Sequence, residues 1–351
     1  MGGAASPLSR EVRLPSLVRI KPGALERLGV YVERLGLSRV ELRADPSLPP
    51  ALLEEAASAL GARRVTEAAQ ALVALGGGRA MDATKQEAHA RGLPWLAVPT
   101  SLSQDGFASP FASVMEAGVR RTVRGAMPVG VVVDTRVCAR APRVLWLSGL
   151  GDVCAKFSAV LDWKLAFHAT GEPVDDLAAL LSDATVHQVL ARPTCDEDGL
   201  RLLGTALFLN GVAMELAGSS RPASGSEHLL SHALDAQGSA LPHGLQVAVT
   251  SLVSLHLLAA TTPPRRDGGD AARLGLQARE ALVRLEALGA ATGLWEACAA
   301  HPLSRRALLE AVATAPTLRP GHFTVLSTRD ARPEVALLLE RDELLQRLTR
   351  P

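Results

Sequence analysis

Between Leu17 and Asp134 short apolar runs alternate with stretches of helix formers, and after Ala141-Pro142 the alternation stops. The runs Leu17 to Ile20, 39 to 43, Ala71 to Leu75, Pro94 to Val98 and Val129 to Asp134 have strand length, and helical stretches at 24 to 35, 50 to 61 and 79 to 91 separate the first four. Short apolar strands separated by helices are the pattern of a parallel sheet covered on both faces. From residue 143 onward no convincing strand is legible, and helices are predicted at 143 to 170, 174 to 191, 197 to 217, 224 to 236, 243 to 260, 271 to 290 and 303 to 314. The pattern predicts an α/β domain over residues 1–142 followed by an all-α domain over 143–351. Residues 1 to 16 read as a loose arm, and Thr261 to Asp270, with its two prolines and two glycines, as an exposed loop.

At 351 residues the chain is too long for one small core, which fits this division. Thirty-seven basic and thirty-six acidic residues leave a net charge of +1, with no basic stripe interleaved with aromatics, so a nucleic-acid partner is disfavoured. The four cysteines, Cys138, Cys154, Cys195 and Cys298, are scattered and form no C-x-x-C pair, which suits a reducing cytoplasm. The N-terminus lacks the apolar core of a signal peptide. The apolar stretch Gly244 to Ala260 is shorter than the ~20 residues of a membrane span and reads as a buried helix.

The strand ALVAL runs into Gly76-Gly77-Gly78-Arg79 and a helix beginning AMDATK. Such a loop either lets a pyrophosphate approach the backbone at a helix N-terminus or is a plain tight turn. The hydroxyl-rich loop Pro99 to Gly106 follows the next strand, and two such loops at one sheet edge favour a dinucleotide. In the helical half, His228 and His232 stand four residues apart in good helix formers and so share one helix face. His243 follows a turn at Gln237-Gly238-Ser239 and a proline, so a reversal there can bring it back against His228. Asp152 lies in an otherwise apolar stretch, where a carboxylate needs a strong partner. That partner is either Lys156, one helical turn on, or a divalent metal, preferably zinc, shared with His228 and His243.

The runs GGGRAMDATK, VPTSLSQDGFASPFAS, VVVDT, APRVLWLSGLGDVCAKFSAVLDWKLA, SSRPASGSEHLLSHALD, LPHG and LRPGHFTVL occur in this order over about residues 70 to 326. Together they closely resemble the glycerol-1-phosphate dehydrogenases, within the dehydroquinate-synthase and iron-containing alcohol dehydrogenase superfamily. The resemblance implies a Rossmann-like NAD(P)-binding domain followed by a helical, dehydroquinate synthase-like domain. It implies that Gly76, Gly77, Gly78, Arg79 and Ala80 hold the NAD(P) pyrophosphate, with Thr100, Ser101, Leu102, Ser103 and Ser109, and that Asp45 bonds the adenosine ribose. It further implies that Asp152, His228 and His243 bind zinc, that Asp105 touches substrate and that His232 faces it. The chain departs from the family at Gln104, where a His is usual, at Lys156, where an Asn is usual, and at Leu245, which takes the place of a Glu.

The expected function is NAD(P)- and zinc-dependent reduction of a small phosphorylated ketone, with dihydroxyacetone phosphate and sn-glycerol 1-phosphate as first-choice pair. Asp105, His232 and Lys156 are the expected catalytic or substrate-selecting groups. Arg221 is either a phosphate contact or half of a structural ion pair. A sugar-phosphate cyclase of the dehydroquinate-synthase type, and a non-catalytic metabolite-binding homologue in which Lys156 supplies the charge opposite Asp152, are the alternatives. The expected partner is a small phosphorylated ketone or polyol, without nucleic acid or membrane span, and association into a homo-oligomer stays open.

Overall fold

The computed structural model describes residues 11–116, 119–261 and 271–351. The first half of the chain forms a five-stranded sheet from β1 (Leu17–Lys21), β2 (Val40–Ala44), β3 (Ala71–Gly76), β4 (Trp95–Pro99) and, after a hairpin of β5 (Phe111–Glu116) and β6 (Val119–Arg124), β7 (Gly130–Asp134). The order is β1-β7-β4-β3-β2 and every pairing in it is parallel. Helices α1 (Leu28–Arg34), α2 (Pro50–Leu60), α3 (Gly78–Arg91) and α4 (Thr135–Ala139) connect and flank the strands.

The continuous burial of β3, β4 and β7 follows from this arrangement, because both of their faces are covered. Leu75, Val98 and Val132 pack under Leu28, Val32, Ala56 and Leu60 on one side. Leu72, Trp95 and Val131 belong on the other side to the large core that continues into the helical half.

That half begins with α5 (Arg143–Thr170), followed by α6 (Asp176–Ala191), α7 (Glu197–Ala217), α8 (Ser226–Ala236), α9 (His243–Ala260), α10 (Ala271–Thr292), α11 (Leu294–Ala299), α12 (Arg305–Leu318), α13 (Arg332–Arg341) and α14 (Glu343–Leu348). Two-residue strands β8 (Leu303–Ser304) and β9 (Thr349–Arg350) pair in parallel and tie the C-terminus to the start of α12. By length and composition α5, α7 and α9 could each cross a membrane, yet they are largely buried among other helices. They are core helices of a multi-helix domain.

The β5–β6 hairpin and the last two helices were not expected from the sequence. The hairpin alternates FASVME with VRRTVR and is held by cross-strand pairing and packing on α3 and α8, which no local pattern announces. The expected loop over Thr261 to Asp270 and the expected arm over residues 1 to 16 lie outside the described residues except for Thr261 and residues 11–16.

Close approach of α5 and α9 depends on glycine. A Cβ on Gly151 would stand 2.1 Å from the carbonyl oxygen of Gly244, and one on Gly244 1.9 Å from that of Ser148. Asp152 and His243 are the chain neighbours of these two glycines, so the crossing sets their separation.

Candidate active site

A wide cleft over the loops after β2, β3 and β4 and a pocket lined by histidines meet at the carboxyl ends of the strands, where ligands of open α/β sheets bind. At the end of β3 the chain turns through Gly76, whose φ of +151° and whose absent Cβ, otherwise 2.8 Å from the Cβ of Asp45 and 2.7 Å from that of Ala80, admit only glycine. The next loop leaves β4 beside it, with Thr100 N–H donating to Gly76 O at 3.0 Å. Asp45 closes β2 at the same edge and accepts from the N–H and hydroxyl of Ser47 at 2.9 and 2.6 Å.

A cleft of about 1270 Å³ opens over these loops, lined among others by Asp45, Ser47, Gly77, Gly78, Arg79, Thr100, Ser101 and Ser103. A Cβ on Gly77 would meet only Ser101 Oγ, at 3.7 Å, so its face is open to a ligand. Of the other expected cofactor residues, Gly76 and Ala80 shape the turn from beneath. Leu102 is buried in the main core. Ser109 lies in the adjoining histidine pocket, accepting from Phe111 N–H at 3.0 Å.

That pocket is lined by Asp82, Gln104, Asp105, Ser109, Ser113, Thr122, Asp152, Ser220, Ser224, His228, His232 and His243 together with small and apolar side chains. His228 and His232 share the inner face of α8, while His243 begins α9 immediately after Pro242. Their ring centroids are 5.3 Å (His228 to His243), 6.3 Å (His228 to His232) and 6.5 Å (His232 to His243) apart. One ligand atom each from Asp152, His228 and His243 lies within 4.8 Å of the others.

Each of the three presents one defined atom. His228 Nδ1–H donates to Glu227 Oε1 at 2.8 Å, which leaves Nε2 facing Asp152 Oδ1 at 3.6 Å. Glu227 is itself fixed by Ser158 Oγ–H at 2.8 Å and Gly225 N–H at 2.7 Å. His243 Nδ1 contacts Ser231 Oγ at 3.4 Å. Asp152 uses Oδ2 for the Lys156 ammonium at 3.3 Å and for Asp105 N–H at 3.2 Å, leaving Oδ1 for the histidine side.

Zinc bonds of roughly 2.0–2.2 Å in a tetrahedron put neighbouring donors about 3.3–3.6 Å apart, which the His228 to Asp152 distance matches. A carboxylate behind the coordinating histidine is the usual second partner of such a site. Electrostatics agree. Burial disfavours a charged His228, but Asp152 and Glu227 on either side outweigh it and push the imidazole up to about 9, so the position favours positive charge. The residues present fit a divalent metal.

Lys156 is completely buried and bridges two carboxylates, donating also to Asp152 O at 2.7 Å and lying 3.1 Å from Asp105 Oδ2. Burial works against its charge, and Asp105 and Asp152 more than restore it. Asp105 is held above the ordinary carboxylate range by burial and by the nearby charge of Asp152. Pairing with Lys156 and a ligand position for Asp152 are thus compatible, one oxygen serving each.

Arg221 does not reach the pocket. Its guanidinium forks onto Glu172, with Nε 2.7 Å from Oε1, and Nη1 donates to Phe323 O at 2.7 Å. Of its two sequence readings the structural ion pair is the one seen. The segment around Phe323 is stapled to the loop before α8 at further points. His322 Nε2–H donates to Ser224 O at 2.9 Å, and Asp162 accepts from Ser226 N–H and Val325 N–H, both at 2.7 Å. Glu227, Asp162 and His322 were not singled out from the sequence. Glu227 sits in the same SGSEH phrase as His228 and was the one that a search for carboxylates beside the ligands could have found.

Residues 51–142 match the family model described as iron-containing alcohol dehydrogenase. The chain is 34% identical over 271 residues to a glycerol-1-phosphate dehydrogenase [NAD(P)+] of Thermoplasma volcanium, covering 76% of this chain and 71% of that one. It is 32% identical over 346 residues to the enzyme of the same name from Metallosphaera sedula, covering 91% and 93%. A probable glycerol dehydrogenase from Sinorhizobium meliloti superposes with a TM-score of 0.68 at 19% identity, over 94% of this chain and 98% of that one, which establishes the shared fold. With relatives of this identity spanning most of both chains, and the glycine loop, histidine pair and helical domain in their expected order, the chain belongs to the glycerol-1-phosphate dehydrogenase family within the iron-containing alcohol dehydrogenase superfamily.

Proposed function

We propose that the protein is an NAD(P)-dependent, zinc-dependent reductase of a small phosphorylated ketone, with dihydroxyacetone phosphate reduced to sn-glycerol 1-phosphate as the preferred reaction. The observation that carries the reading is that His243 and Gln104 line both the nucleotide cleft and the histidine pocket. A dinucleotide lying over the glycine loop therefore ends where a ketone held at the histidines begins.

Asp152, His228 and His243 would hold the metal, and Asp45, Gly77 to Arg79, Thr100, Ser101 and Ser103 the dinucleotide. When bound, the two supply Lewis-acid polarisation of the carbonyl and a hydride. The chain's own contribution is positional. Glu227 fixes the ring of His228 so that Nε2 points into the pocket. Lys156 holds Asp105 at the pocket wall, where its carboxylate can accept from a substrate hydroxyl. His232 lies in the same pocket with an imidazole that can take or give a proton. Gln104, whose amide overlies Gly78, stands at the seam and limits what passes between the two compartments.

The test is turnover of a panel of phosphorylated ketones and polyols with NADH and NADPH, with zinc supplied. Oxidation of NAD(P)H by dihydroxyacetone phosphate well above that by other ketones is expected. Redox-neutral consumption of a sugar phosphate would favour the cyclase alternative, and no turnover with any of them the non-catalytic one.

A further inference from the structure

Arg319 ends α12, and the turn Arg319-Pro320-Gly321-His322 is closed by His322 N–H donating to Arg319 O at 2.9 Å. Its Nη1 donates to Ser220 Oγ at 3.1 Å, and Ser220 lines the histidine pocket. Three guanidiniums of the helical half are held by carboxylates: Arg221 by Glu172, Arg329 by Glu334, and Arg332 by Asp330. Among the described residues no carboxylate forms an ion pair with Arg319, and the charge of Arg221 repels it.

Burial and that repulsion hold Arg319 below its ordinary range. Burial, helped by the charges of Arg319 and Arg221, pushes His322 down to about 3 and so keeps its imidazole neutral. Two guanidiniums with one carboxylate between them leave a local excess of positive charge behind the pocket wall. Withdrawing part of a charge from water without a carboxylate is costly, and an anion reaching Ser220 from the pocket would offset that cost. The Ser220 oxygen already accepts from Arg319, so its own O–H is free to donate toward the pocket. Ser224 and Thr122 add hydroxyls to the same lining, and among the described residues no Lys or Arg side chain lines it directly.

We propose that Ser220 and Arg319 form the subsite for the phosphate monoester of the substrate, with Arg319 as the charge that selects phosphorylated over unphosphorylated ketones. The assignment rests on the reductase reading above. Neither arginine lines the pocket itself; Arg319 acts on the phosphate through Ser220, which it bonds and which does line the pocket, whereas the donors of Arg221 are engaged by Glu172 and Phe323 O.

The experiment measures kcat/KM for dihydroxyacetone phosphate and for dihydroxyacetone in zinc-loaded wild type, Arg319→Gln, Arg319→Lys and Ser220→Ala, together with the thermal shift produced by inorganic phosphate. Loss of the charge behind Ser220 should lower the phosphorylated-to-unphosphorylated ratio roughly 10-fold in Arg319→Gln. Arg319→Lys should recover part of it, Ser220→Ala should lose several-fold, and phosphate should stabilise the wild type but not Arg319→Gln. An unchanged ratio, or equal losses on both ketones, overturns the subsite. Should Arg319→Gln fail to fold, Ser220→Ala decides by the same ratio. If the wild type reduces neither ketone while phosphate still stabilises it through Arg319, the substrate reading fails and the anion site stands. If dihydroxyacetone phosphate is reduced equally well without Arg319, the reverse holds.

Discussion

Replacing Gly151 by alanine tests whether the α5–α9 crossing sets the metal geometry. The new Cβ would lie 2.1 Å from Gly244 O and 3.0 Å from the Cβ of Ala248, whereas ordinary contact begins at 3.4 Å, so the two helices must part by about 1.3 Å. Glycine to alanine inside a helix normally stabilises by about 1 kcal/mol. Overpacking a fixed core costs ~1–3 kcal/mol, and a helix backbone cannot swing aside as a side chain can, so the upper part of that range applies. The net expectation is a loss of about 1–2 kcal/mol. The larger effect concerns the ligands. Asp152 and His243 adjoin the two glycines, and metal sites tolerate donor shifts of only ~0.2 Å, so zinc affinity should fall at least ~10- to 100-fold. The assay is urea unfolding of the metal-free protein beside equilibrium dialysis with zinc. Gly275→Ala on α10, whose Cβ would meet its nearest atom at 3.3 Å, serves as control. If Gly151→Ala matches Gly275→Ala in both stability and zinc content, the glycine crossing does not fix the ligand geometry.

His228→Ala removes one of three protein ligands and should abolish zinc binding and turnover together; full activity in a zinc-free variant would refute the metal assignment. Gly77→Val should abolish NADH binding in a fluorescence titration with little change in melting temperature, since the folded chain has room for the first side-chain atom, and unchanged affinity would make the loop an ordinary turn. Lys156→Asn takes the ammonium from between Asp105 and Asp152, so a destabilisation of about 3–5 kcal/mol is expected, with altered preference among phosphorylated substrates and retained zinc. A gain of zinc that the wild type lacks would instead mark Lys156 as a replacement for the metal. Burial, reinforced by Glu227, pushes Asp162 up to about 7, above the ~4 of an unfolded aspartate. Its protonated form therefore favours the native state, and that contribution falls as pH rises from about 4 through 7. Unfolding midpoints across this range should decline less steeply in Asp162→Asn; parallel curves would show that Asp162 keeps its charge on folding.

The sheet and most long helices were legible in the chain because their physics is local. Strands covered on both faces carry unbroken apolar runs, and helices such as α5, α7 and α9 are long, apolar and bounded by Pro142, Asp196 and Pro242, so their limits were expected to the residue. Ligand candidates were legible for a related reason, since the separation of His228 and His232 and the turn before His243 are properties of one short segment. The roles attached to them came from family wording, which spacing alone would not have supplied.

What could not be read depends on partners distant in sequence. The β5–β6 hairpin has no periodicity of its own that outweighs a loop, and it exists because α3 and α8 offer it a surface. Whether Lys156 competed with a metal for Asp152 was undecidable from a four-residue interval, and it turned on which carboxylate oxygen each neighbour takes. Arg221 and Arg319 are equally cationic in the sequence and 98 residues apart. Only tertiary structure gives one of them Glu172 and leaves the other behind Ser220, because the field at a buried charge is set by whichever groups the fold packs around it. Sequence thus determined which elements form and which residue types could do chemistry, both being matters of local pattern. The pairing of charges across the helical domain was decided by packing.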